Sequence, residues 1–350
     1  MDGLGKLFLS AQWAKRDIAI YYSHESLLVA TLLGKETSSF EILDKGPLHD
    51  YMYSRQGAQY IVEDLLCQFD FVSPEGVAAG VLDGKKVLMM PRIKALSDGE
   101  IAALRRFVKA GGRIVADELP GEYDELGNKR KAPPFSAKEV YVTGANFDDL
   151  NVTQRAGMLD VLIKANAKPV LICNEIVSKT GRESMRFVAG TADVFVLLRM
   201  PGRSKGVEKD VFELPIKGYV YDSVAGRYLG HSKQIEVEWG EGGAAVYSVL
   251  KSKPSSLRVE GVPEAIKRGE ELKISVALEA AGVAPDTVFN VRFVSPSGEC
   301  RFHMQRNVDA PKGMAKVFFP MAYNDAVGDW TVVVTEAMTG MSVERKFSLK

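Results

Sequence analysis

The sequence predicts an α/β domain over residues 17–168, followed by two all-β sandwich domains over 169–255 and 256–350. Three observations predict this. Apolar, β-branched runs alternate with segments of helical period through the first half. Near Val170 the helical period stops, and short strands separated by glycine-bearing turns take over. A polar stretch carrying a proline, "KSKPSSLRVEG" (Lys251–Gly261), reads as a linker that divides the β half in two.

The elements follow in order. Residues 1–16 read as a leader helix. "DIAIYYS" (Asp17–Ser23) is short, apolar and β-branched, as expected of a strand buried on both faces. A helical stretch around Gln56–Gln68 precedes the strands "FDFVSP" and "KKVLMMP". The clearest local signal is "LSDGEIAALRRFVKAGGRIVADE". Ser97 and Glu100 make a capping box, and Ile101, Leu104, Phe107 and Val108 recur at helical spacing. Gly111-Gly112 supplies the left-handed stop before the strand "RIVAD". Strand, helix, strand implies a right-handed parallel crossover. A last helix spans about Asn151–Ala165. Beyond it, "SMRFVAG", "ADVFVLLRM", "YVYDSVAGRYLG" and "QIEVEWGEGG" read as antiparallel strands, with a hairpin at Ala225-Gly226. The last hundred residues repeat this rhythm, with a second hairpin at Thr339-Gly340, and have the size of an immunoglobulin-like sandwich.

Composition excludes several functions. The chain has 350 residues, with 45 basic residues against 45 acidic ones, so no global field favours nucleic acid or an anionic membrane. No apolar run approaches the roughly 20 residues needed to cross a bilayer, and the N-terminus lacks the apolar core of an export signal. Cys67, Cys173 and Cys300 are far apart and odd in number, which suits free thiols in a reducing, cytoplasmic compartment. The histidines His24, His49, His231 and His303 show no metal-ligand spacing, so no metal is expected. A glycine-rich phosphate loop is absent after the first strand, where "YYSHES" stands instead, and no cofactor is expected.

"RDIAIYYSHES" (Arg16–Ser26) and "VLMMPRIKALSDGEIAALRRFVKAGGRIVADELPGEYDELGN" (Val87–Asn128) resemble the trimerisation domain of glycoside hydrolase family 42 β-galactosidases. "YVYDSVAGRYLG" resembles a hairpin of the β-domain that follows it, and "AYNDAVGDWTVVVTEAMTG" is similar to bacterial immunoglobulin-like modules. The resemblance implies a flavodoxin-like, class I glutamine-amidotransferase-like fold for residues 17–168, and a homo-oligomer, a trimer in the family. It also implies a preceding (β/α)8 barrel with two catalytic glutamates. Such a barrel needs roughly 200 residues or more. The short stretch before Ile18 looks like the exit from one, as expected of a fragment or of a relative without its barrel.

In the amidotransferase-like fold the strand equivalent to Arg113–Asp117 leads to a glycine-flanked turn that exposes a cysteine beside a histidine. Here the turn reads Asp117-Glu118-Leu119-Pro120-Gly121, without a thiol. Glu118, Glu122, Asp124 and Glu125 cluster after the strand, and His24 and Glu25 follow the first strand at the same sheet end. Ser23, His24, Glu25, Arg92, Glu118, Tyr123 and Asp124 therefore form a candidate ligand or interface rim, with no catalytic residue among them. The expected function is a non-catalytic structural and oligomerising region of a β-galactosidase-like enzyme that lines a sugar-binding cleft. The alternatives are a carbohydrate-binding module using the acidic corner or the β-region aromatics Trp239, Trp330 and Tyr228, and a small hydrolase using Glu118 with His24.

Overall fold

The computed structural model describes residues 3–34, 45–203, 205–300 and 302–350. The chain opens with helix α1 (Leu4–Ser10) and strand β1 (Gln12–Trp13). It then forms β2 (Ile18–Tyr21), α2 (His24–Leu33), α3 (Pro47–Asp64), β3 (Phe69–Val72), α4 (Pro74–Ala78), β4 (Val87–Met90), α5 (Asp98–Lys109), β5 (Arg113–Ala116), β6 (Val140–Val142) and α6 (Val152–Lys164). Strands β2 to β6 make one parallel sheet in the order β3-β2-β4-β5-β6. That order is the doubly wound 2-1-3-4-5 arrangement, whose ligand crevice lies where the winding reverses, here between the carboxyl ends of β2 and β4. Every residue of β2 and β4 is buried, because helices cover both faces.

Helix α5 carries the capping box expected of Ser97 and Glu100, buries Ile101, Leu104 and Phe107, and stops at Gly111 with φ +96°. Helix α3 starts earlier than the helix read around Gln56–Gln68 and ends at Asp64. Gly46 and Pro47 start it, since proline at the first turn lacks only a hydrogen that would be unbonded anyway.

The middle region contains β7 (Ile172–Cys173), β8 (Arg182–Ala189), β9 (Ala192–Arg199), β10 (Glu208–Asp222), β11 (Arg227–Trp239) and β12 (Ala244–Leu250). Hydrogen bonds join these strands and β1 into one sheet, ordered β1-β8-β9-β12-β10-β11, with β7 also on β10. Two features depart from expectation. The sheet is continuous where two facing sheets were expected for 169–255. The long strand β10 pairs with β12 through Tyr219–Asp222 and with β7 through Phe212–Glu213, so no gap opens. The leader is also not all helix, since Gln12 and Trp13 add β1 to β8.

The C-terminal region contains β13 (Pro254–Glu260), β14 (Ala265–Ile266), β15 (Glu271–Ala280), β16 (Thr287–Val294), β17 (Gln305–Ala310), β18 (Met314–Pro320), β19 (Gly328–Glu336) and β20 (Ser342–Leu349). These form two sheets, β13-β15-β18 and β14-β20-β19-β16-β17, closing on Phe289, Phe293, Phe319, Trp330 and Phe347. The expected linker Lys251–Gly261 is mostly strand β13. Pro254 is tolerated there because it is the first residue of a strand at the sheet edge.

Among the contacts that join the regions, three stand out. Leu4 and Leu7 of α1 pack in one cluster with Phe187 and Val246 of the middle sheet and Val288 and Met338 of the last domain. The two hairpin turns meet, and a Cβ on Gly340 would lie 2.4 Å from the Cα of Gly226, so this contact requires glycine. At the end of α3, fully buried Asp64 accepts hydrogen bonds from Gly181 N at 2.7 Å, Arg155 at 3.2 Å and Arg203 at 2.8 Å.

Beside Asp64, burial pushes the Glu63 carboxyl up from 4.5 to about 7; Glu183 adds to the rise, and Gln59 and Arg203 oppose it. The folded state therefore binds a proton that the unfolded chain releases. This contribution to stability is complete below pH 4.5 and is lost as pH rises through about 7. Urea midpoints measured from pH 4.5 to 8 are expected to fall along this slope in the wild type, and Glu63→Gln is expected to flatten it. No described helix is long and apolar enough to cross a membrane.

Candidate functional site

The rim residues lie at the carboxyl end of the parallel sheet. Ser23 ends the β2 segment and caps α2, its Oγ accepting from Ser26 N at 3.0 Å and donating to Glu25 at 3.2 Å. Its carbonyl accepts the Tyr51 hydroxyl at 2.7 Å. Ser23 is thus spent on structure. His24 is exposed in the first turn of α2.

Across the sheet, Arg92 follows β4 with φ +46°, a left-handed conformation that costs a non-glycine residue about 1–3 kcal/mol. Asp117 holds it there. The Asp117 carboxylate accepts Arg92 N at 2.8 Å, Glu118 N at 3.1 Å and the Ser54 hydroxyl from α3. Burial pushes this carboxyl up, while the bonds from Ser54 and Arg92 N pull it down. The Arg92 guanidinium bonds Glu118 at 2.9 Å, and Lys94 reaches the other Glu118 oxygen at 2.8 Å.

The loop that follows is equally committed. Glu122 pairs with Lys129 at 2.9 Å, and that bond holds its carboxyl below the usual range. Asp124 closes a turn by accepting Leu126 N at 3.0 Å and Asn128 N at 2.8 Å. Tyr123 forms short bridges to Ala95 and Lys129. Of the clustered acids, Glu118 is matched to Arg92 and Lys94, and Glu122 to Lys94 and Lys129. Among the described residues, no hydrogen bond or ion pair joins His24 to Glu118.

No thiol stands at this turn. Cys67 follows α3, where burial pushes it up to about 12, and Cys173 is buried in β7 beside Arg182. The Trp239 and Trp330 indoles are core residues: Trp239 donates to Asp210 at 3.0 Å and Trp330 to the Ala326 carbonyl at 2.8 Å. Neither can stack on a sugar. Tyr228 is part-exposed but carries Lys253 over its ring at 4.5 Å.

Sequence reading missed two parts of this corner. Ser54 reaches Asp117 from 63 residues away, a contact without a local signal. Tyr21 donates to Glu100, the capping-box residue of α5, and burial followed by that carboxylate drives the phenol well above its ordinary value. One glutamate therefore caps the start of α5 and ties it to β2.

No family model matches the sequence. No curated protein matches it either. Similar solved structures include a β-galactosidase from Bacillus circulans sp. alkalophilus, at 15% identity and TM-score 0.49, covering 70% of this chain and 43% of that one. A β-galactosidase from Rahnella sp. R3 matches at 11% identity and TM-score 0.45, covering 68% and 41%. An exo-carrageenase of glycoside hydrolase family 42 from Bacteroides ovatus matches at 11% identity and TM-score 0.42, covering 67% and 29%. The chain spans less than half the length of each of these structures, to which it is similar in part of its fold.

Proposed function

We propose that this chain is a structural and oligomerising region of a β-galactosidase-like glycoside hydrolase, non-catalytic by itself. In this reading the flavodoxin-like domain is the assembling unit, a trimer by resemblance, and the two-sheet C-terminal region is an immunoglobulin-like module. The carrying observation is α2. Its sequence, "HESLLVATLL", is apolar on nearly every side, a pattern that belongs to a helix covered all round. Yet Leu28 is 51% exposed, Leu32 53% and Leu33 44%. Leu28 and Leu32 stand one turn apart, forming an apolar stripe of the kind that marks an interface. The committed acids at the sheet end support the non-catalytic half, since Asp117 and Glu118 each hold neighbouring groups in place.

Sedimentation velocity at micromolar concentration tests the reading. The wild type is expected to sediment as a trimer, and Leu28→Asp with Leu32→Asp as a folded monomer with an unchanged far-UV spectrum. Neither protein is expected to turn over nitrophenyl galactoside. A strictly monomeric wild type would sink the assembly role, and a turnover abolished by Glu118→Gln would sink the non-catalytic one.

A further inference from the structure

A groove of about 540 Å³ runs between α3 and the edge strand β3, in the size range of small-molecule sites. Among the described residues, strand β3 pairs only with β2, and this open edge sets one wall. Phe71, 53% exposed, stands on that wall, with Tyr53, 43% exposed, on the helix opposite. Each ring already has one aromatic neighbour behind the groove's lining: Phe69 meets Phe71 edge-on, and His49 stacks on Tyr53. The rings are thereby fixed as platforms.

The polar groups are unevenly distributed. Arg55 lies over the Tyr22 ring at 5.1 Å, and no carboxylate among the described residues pairs with its guanidinium. Among the described residues, no acid lines the groove. A planar guanidinium stacked on a ring keeps its N–H edges available for two parallel bonds to a carboxylate. Gln56 and Gln59 give their amide hydrogens to Tyr60 and Glu63 along α3, both at 2.8 Å. Their carbonyl oxygens remain as acceptors for hydroxyl groups.

We infer that this groove binds an acidic pyranose, a sugar ring bearing a carboxylate. The ring's C–H face lies on Phe71 or Tyr53, the carboxylate meets Arg55, and the hydroxyls donate to Gln56 and Gln59. No carboxylate pair stands among its described lining residues to act as acid and nucleophile on a glycosidic bond, so the role inferred is binding rather than cleavage. The inference is separate from the oligomerising role: its residues lie on α3, on β3 and just past β2, none of them on the α2 stripe.

Calorimetry with digalacturonate, digalactose and acetate tests it, using both the wild type and the Leu28→Asp, Leu32→Asp variant so that coverage of the groove in an assembly cannot hide it. Saturable binding of digalacturonate is expected in at least one, with no saturation by digalactose or acetate. Arg55→Met is expected to weaken binding by about tenfold or more, the scale of a charge-assisted bond pair, and Arg55→Lys by less. Phe71→Ala, an exposed position, is expected to weaken it several-fold. No saturation in either protein, equal binding of digalactose, or unchanged affinity in Arg55→Met would overturn the inference.

Discussion

Replacing Asp64 by alanine is expected to destabilise the protein by about 3–5 kcal/mol, the cost of leaving a buried charge without its partner. Asp64 is fully buried, and Arg155, only 8% exposed, points at it from α6. Arg155 also bonds the carbonyls of Val177 at 2.7 Å and Lys179 at 3.0 Å, so it cannot swing out to water cheaply. The same change removes the acceptor for Gly181 N and the partner of Arg203. Those groups belong to three segments: α6, the strand start at Gly181 and the turn after β9. The loss therefore falls on the joint between the α/β domain and the middle sheet. Urea unfolding should show a lower midpoint, and a single transition should broaden or split as the two regions uncouple. Asp64→Asn, which keeps an acceptor for Gly181 N, should cost less. Adding Arg155→Met to Asp64→Ala should recover part of the loss, because the orphaned charge is then gone. A cost below about 1 kcal/mol would mean that this carboxylate is not desolvated.

Gly57→Ala is expected to lower the melting temperature although alanine is the better helix former. The propensity gain is about 1 kcal/mol. Against it, a Cβ at position 57 would sit 2.2 Å from Asp148 N and 2.6 Å from both the Asp148 Cα and the Phe147 carbonyl carbon. These are backbone atoms, which no rotamer change can move aside. Helix α3 would have to separate from the turn Phe147–Asp149, and overpacking of this kind costs about 1–3 kcal/mol or more. The clash outweighs the propensity gain. Gly5→Ala in α1 is the matched control: nothing lies within 4 Å of its added Cβ, so propensity alone acts and a small stabilisation is expected. Thermal unfolding followed by circular dichroism compares the two. A raised melting temperature for Gly57→Ala would show that α3 does not press on that turn.

The parts of this fold legible in the sequence are those decided by neighbours along the chain. The capping box of Ser97 and Glu100, the stop at Gly111 and the hairpins at Gly226 and Gly340 are all settled within a few residues, so local chemistry suffices to read them. Alternation reveals which face of a strand is buried but not which strand lies beside it. That is why the middle region read as two facing sheets, and why β1 was read as the end of a helix.

The candidate site divides in the same way. The missing thiol at Asp117–Gly121 was visible in the sequence, and so was the clustering of acids. Their state was not. Charge spacing cannot show that Arg92 and Lys94 converge on Glu118, nor that Ser54 closes over Asp117. By itself, then, the sequence determined the succession of an α/β region and two β regions, the local stops and turns, and the absence of a thiol from the turn after β5. Only the tertiary structure decided that Glu118 and Glu122 are bonded and held, that α2 leaves Leu28, Leu32 and Leu33 uncovered, and that Arg55 has no carboxylate partner among the described residues. Each of these depends on groups far apart in the chain being brought within a few ångströms, and desolvation and pairing act over that distance rather than along the sequence.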